Sequence, residues 1–142
     1  MSGDIIVGYD GSEGAQGALA EAVKLAKGLG LGVRLCFGYE APAFYVGDAG
    51  RQADVIEGIG TEALEDGLAR AKELDASVEV TAETVDGRPA PALIAMAERD
   101  DARMIVVGHH EGGTVRGAIM GSVTFKVLHD APCPVLVVLA DG

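Results

Sequence analysis

Two rhythms take turns along this chain. Short unbroken apolar runs read as buried strands, and longer stretches with an apolar residue at every third or fourth position read as amphipathic helices. Residues 4–9 (DIIVGY) form the first run, which stops at the turn Asp10-Gly11-Ser12. A helix is expected next. Ser12 supplies its cap and Glu13 suits its positive end, while Ala15, Ala18, Leu19, Ala22, Val23, Ala26 and Leu29 share one face. Gly28, Gly30 and Gly32 mark its end. Residues 33–37 form a second strand, and residues 40–52, rich in Gly, Ala and Pro with aromatics at Phe44 and Tyr45, are expected to be a long mobile loop.

Helical spacing returns over residues 55–74 through Ile56, Ile59, Ala63, Leu64, Leu68 and Ala71, although Gly58, Gly60 and Gly67 each cost up to ~1 kcal/mol relative to alanine. Residues 77–85 alternate Val78, Val80 and Ala82 with Ser77, Glu79 and Thr81, the pattern of a half-exposed strand near an edge. Gly87-Arg88-Pro89 opens a helix expected to bury Leu93, Ile94 and Ala97, and residues 104–107 form a fully buried strand. Residues 108–122 contain five glycines. Ser122 then caps a short helix carrying Val123, Val127 and Leu128, and Pro132-Cys133-Pro134 leads into a last strand at 135–139.

Strands alternating with helices predict one doubly wound α/β domain over residues 1–142, with a mainly parallel sheet covered on both faces, because parallel neighbours need right-handed helical crossovers. Small ligands sit beyond the carboxyl ends of such strands, where the winding reverses. That places a candidate site at Tyr9-Asp10, the end of the second strand near Phe37, and the loop after Val107.

Composition narrows the partners. Lys and Arg number 11 against 22 Asp and Glu, a net charge of −11, and such a field repels nucleic-acid backbones. No apolar run approaches the ~18 residues that span a bilayer, and Met1 to Asp4 shows no leader, so a cytoplasmic protein without membrane contact is expected. Cys36 and Cys133 do not resemble a secreted disulfide framework and are expected to be reduced thiols.

Neither Gly-x-x-x-x-Gly-Lys-Ser/Thr nor Gly-x-Gly-x-x-Gly after a strand is present, which removes two common phosphate loops. What remains is Gly108, a glycine-rich run, and Gly121-Ser122 at a helix start. There the amides of Ser122 and Val123 and the helix dipole would attract an anion; a mobile loop ending in an ordinary serine cap fits the same residues. Asp10 reads equally as a turn residue supporting the Ser12 cap, and Phe37 as plain core. His109, His110 and Glu111 lie near Asp10, yet adjacent histidines on an extended segment point to opposite faces, so no metal site is assigned. No serine or cysteine has a paired base, so no catalytic residue is assigned.

IIVGYDGSEGAQGAL near the start, MIVVG at 104–108 and GSVTFKVLHDAPCPVLVV at 121–138 together resemble the universal stress protein family, over nearly the whole chain. The resemblance implies a single domain of the adenine nucleotide alpha hydrolase-like kind, with five strands in the order 3-2-1-4-5. It also implies a homodimer joined through the strand at 135–139. One subgroup binds ATP, with or without Mg²⁺ and with at most slow hydrolysis; other members act as nucleotide-free homodimeric interaction modules. In the ATP-binding pattern Asp10 matches the aspartate that approaches ribose or metal, Phe37 falls where a backbone group reads adenine, and Gly8 and Tyr9 border that pocket. Val107, Gly108 and His110 match the entrance of the phosphate loop, and Gly121, Ser122 and Val123 match the residues that hold phosphates. The chain departs from the pattern at Glu111, which stands where a second glycine is expected and so becomes a candidate occluder. A carboxylate there repels phosphate unless it turns to solvent or toward Mg²⁺, or unless the loop threads one residue later through Gly112.

Overall fold

The computed structural model describes residues 3–39, 49–109 and 122–139, with main chain only at 39 and 49–57. Five strands and four helices alternate: β1 (Ile5–Gly8), α1 (Glu13–Leu29), β2 (Val33–Tyr39), α2 (Ala49–Leu74), β3 (Val80–Asp86), α3 (Pro89–Asp100), β4 (Met104–Gly108), α4 (Ser122–Asp130) and β5 (Val135–Val138). The sheet order is β3-β2-β1-β4-β5 and every neighbouring pair is parallel.

Strand alternation divides the core in two. Ile5 and Val7 of β1 join Leu35 and Val106 beneath α1 and α2, while Ile6 joins Cys36, Ile105 and Val107 beneath α3 and α4. The first two crossovers step outward to β3 on one side of β1, and the third jumps back to β4 on its other side; right-handed connections therefore put the two helix pairs on opposite faces. The expected face of α1 is buried from Ala15 to Ala26, and Ser12 Oγ accepts the Ala15 N–H at 3.2 Å, a cap worth about 1 kcal/mol. Leu29, 44% exposed, lies off that face.

Several expectations shift. The helix α2 begins at Ala49 rather than at residue 55, so residues 49–52 are helical and not loop, while 40–48 lie outside the described residues. Two of the three costly glycines of α2 have a use: a β-carbon on Gly67 would come within 2.7 Å of Leu35 and 2.9 Å of Tyr9, and one on Gly60 would overlap the Phe37 ring, so bare backbone lets α2 lie close on the sheet. Ile59 is 56% exposed and outside the buried stripe. The strand β3 starts at Val80 because Ser77 is held in a turn, its N–H donating to Asp75 Oδ1 at 2.9 Å, and β3 is an edge as expected.

In α3 the buried set is Ala90, Ala92, Leu93, Met96 and Ala97; Ile94 sits at the border of that stripe, half-buried. In α4 Thr124 and Val127 face inward, Leu128 is 42% exposed, and the helix begins at Ser122 itself. On the α3 side Arg99 clamps Glu83 of β3 through two hydrogen bonds of 2.9 and 3.0 Å, and Arg34 of β2 meets Asp100 at 3.1 Å, tying the end of α3 to the edge of the sheet. Among the described residues no helix is long and apolar enough to cross a membrane.

Candidate functional site

The winding reverses between β1 and β4, and the chain leaves a cleft of about 330 Å³ at the carboxyl ends of the strands there. Gly8, Tyr9, Asp10, Phe37, Val107, Gly108, Ser122 and Val123 all border it, so these eight expected residues come together from four separate segments. His110, Gly121 and Glu111 lie outside the described residues.

The floor is made by two glycines. A β-carbon on Gly14 would come within 2.7 Å of the His109 carbonyl oxygen, and one on Gly108 would overlap the Gly14 carbonyl, so the first turn of α1 rests directly on the end of β4. Asp10 is exposed at the mouth, with its Oδ1 accepting the Ser12 N–H at 2.9 Å. The turn role is thus present, and the carboxylate still borders the cleft.

Tyr9 meets the cleft differently from the simple expectation. Its side chain is buried under α2, where the phenol donates to Asp66 Oδ2 at 2.8 Å, and Arg70 Nε donates to that same oxygen at 2.8 Å. The side chain is thus an anchor under α2 and not part of the cleft's polar lining. Burial, then the bond to Asp66, pushes the phenol up to about 12, while Arg70 holds Asp66 below the usual carboxylate range. A phenol that ionises later in the folded state contributes stability intact below about pH 10 and lost as pH rises through about 12. Replacing Tyr9 by Phe should cost about 1 kcal/mol at neutral pH and make stability fall less steeply between pH 10 and 12 than in wild type, as measured by urea unfolding. An unchanged alkaline slope would contradict the anchor.

The register also sets which main-chain groups of β2 turn toward β1. Val33 donates to Glu79 next to β3, whereas Cys36 accepts from Tyr9 on the β1 side, and successive residues of an unbroken strand turn their N–H and C=O to opposite neighbours. Phe37 therefore directs its main chain at β3, and its ring packs under α2. Gly38 directs its own at the β1 side, beyond the last β1 pair, Gly8 with Cys36. Gly38 is one of the lining residues that sequence reasoning missed.

The others are Ser12, Gly14, Ala15, Cys36, Pro89, Leu93, His109 and Thr124. Thr124 is only 3% exposed, and burial pushes the Cys36 thiol up to about 12, so that sulfur is a neutral wall and not a nucleophile. Gly14, a glycine in the first turn of α1, was the available signal of close approach; helical spacing marked Leu93 as buried but not as lining a cleft, and nothing in the sequence singled out Thr124.

The family model described as the universal stress protein family matches residues 1–138. This chain belongs to the universal stress protein family. The "universal stress protein in QAH/OAS sulfhydrylase 3′region" of Thermus aquaticus is 33% identical over 141 residues, covering 94% of this chain and 96% of its own length. Universal stress protein YxiE of Bacillus subtilis is 32% identical over 147 residues, with 97% and 99% covered. Among solved structures, a universal stress protein in complex with cAMP superposes with a TM-score of 0.72 at 26% identity, covering 99% of this chain and 98% of that one. The five-stranded parallel sheet in the order 3-2-1-4-5 is thus a universal stress protein fold in both sequence and shape.

Proposed function

We propose that this universal stress protein binds an adenine nucleotide, ATP, in the cleft between β1 and β4 and acts in the cytoplasm as a regulator without fast turnover. The observation that carries the reading is the meeting of main-chain groups from three elements at one cleft: Gly38 of β2, the Gly8–Asp10 turn, and the opening turn of α4 at Ser122 and Val123. The base lies against Gly38, beside Phe37 and the apolar wall of Leu93. The ribose lies by Asp10. The phosphates lie over Val107 and Gly108 and against the Ser122 and Val123 amides, which have no partner further back in the helix and sit at its positive end. By family pattern His110 and Gly121 complete the phosphate loop. The solved relative in complex with cAMP supports the ligand class.

Glu111 opposes a triphosphate. A carboxylate about 4 Å from one phosphate charge costs up to ~4 kcal/mol at an effective dielectric near 20, less where solvent screens it. Freshly purified protein, denatured and chromatographed, should release an adenine nucleotide. ATP titrated by calorimetry into wild type and Glu111→Gly should bind both, with the variant at least about tenfold tighter. If neither protein binds ATP or AMP, the reading is wrong. We also infer that two copies pair through β5, the exposed apolar edge opposite β3.

A further inference from the structure

An anionic ligand entering this cleft meets few positive charges among the described residues. The protein carries a net charge of −11, and among the described lining residues there is no Lys or Arg. His109 is the one described lining residue whose side chain can carry a positive charge. Its placement follows from the strand. The His109 N–H donates to Val138 O at 2.8 Å, which carries the ladder one residue past β4. Ile105 and Val107 belong to the core beneath α3 and α4, so alternation turns His109 to that same face, the face on which α4 opens with Ser122, Val123 and Thr124.

We propose that His109 is a phosphate-contacting residue of this cleft, one whose protonation tightens the hold on an anionic ligand; the inference rests on the nucleotide reading above. Among the described residues, the neighbouring groups leave that role to His109. Asp10, from the β1 turn, is exposed with its carboxylate turned to the Ser12 N–H, and Glu13 of α1 is exposed. Tyr9 is tied to Asp66, and Cys36 is a neutral thiol in this range. Arg88, just before Pro89 of α3, is already engaged, and neither the first turn of α4 nor β5 carries a titratable side chain. A hydrogen bond from a cationic imidazole to phosphate is about twice as strong as a neutral one.

Cyclic AMP is the probe, because its phosphodiester keeps one charge across the range in which imidazoles titrate, and adenosine is its uncharged counterpart. Calorimetric titrations at about pH 8 and about pH 5.5 should show cAMP binding about fivefold tighter at the lower pH in wild type, and within twofold of constant in His109→Gln. Adenosine should show no such slope in either protein. The His109 ring resonance, followed by NMR against pH, should titrate at higher pH with cAMP bound than without it, a readout that a structural role would not move. An equal slope in wild type and His109→Gln, or a ring titration that cAMP leaves unmoved, overturns the role of His109 and leaves the nucleotide reading intact. Absence of binding by cAMP, AMP and ATP at both pH values overturns both.

Discussion

Gly108→Ala is expected to lower stability by about 3 kcal/mol, dropping Tm by ~10 °C, and to weaken AMP binding more than tenfold. The cause is steric. A methyl on Gly108 would overlap the Gly14 carbonyl, and both atoms belong to main chain, one on a central strand and one on the first turn of α1, so no side chain can rotate out of the way. The collision is relieved only if α1 lifts from β4. That motion carries Ser12, Asp10 and the cleft floor with it, since the Asp10 carboxylate holds the Ser12 N–H and Ser12 caps α1. Affinity and stability should therefore fall together. Gly28→Ala is the matched control, because a β-carbon there meets nothing within 4 Å, and in a helix that substitution should leave stability unchanged or raise it by up to ~1 kcal/mol. Thermal unfolding and AMP titration of the two variants check both arms; a Gly108→Ala protein as stable as wild type would show that the two elements are not in register as described.

What the sequence made legible, and what it hid, divides along a physical line. The first strand and the helix start after Ser12 were readable because local chemistry sets them: a β-branched run, a turn, and a serine whose hydroxyl meets the third amide of the helix. The chain order of elements then constrained the crossovers, and with them the place where a cleft must open. Features set by tertiary contact were not readable. Gly60 and Gly67 look like defects until α2 is seen lying on Phe37, Leu35 and Tyr9. Ile94 and Met96 compete for the inner face of α3, and only the approach of β1 and β4 decides for Met96. That Gly38 and not Phe37 turns its main chain to the β1 side was hidden for the same reason, because it depends on a one-residue register that apolar patterning does not record.

The sheet edge at β5 yields the second large expected effect. Val135, Leu136, Val137 and Val138 are all half-buried although they lie on the outermost strand, and Leu139 beyond them is 70% exposed. On the adjoining helix Phe125 is 63% exposed. An apolar edge of this kind is rarely left bare to water, and a two-fold axis beside β5 would set each strand against its mate, so that one substitution enters the interface twice. Val137→Lys should then place two ammonium groups in the covered edge and raise the dimer Kd by roughly a thousandfold, because burying unpaired charges costs several kcal/mol and each 1.4 kcal/mol is tenfold. Val137 also packs on the core beneath α3 and α4, so part of the damage in that variant falls on folding. Leu139→Lys separates the two. Its side chain is largely in solvent within one chain, so folding should change by no more than about 0.5 kcal/mol while the dimer is still lost. Sedimentation at micromolar protein should find two chains per particle in wild type and one in both variants; variants that sediment like the parent would place the interface on another surface.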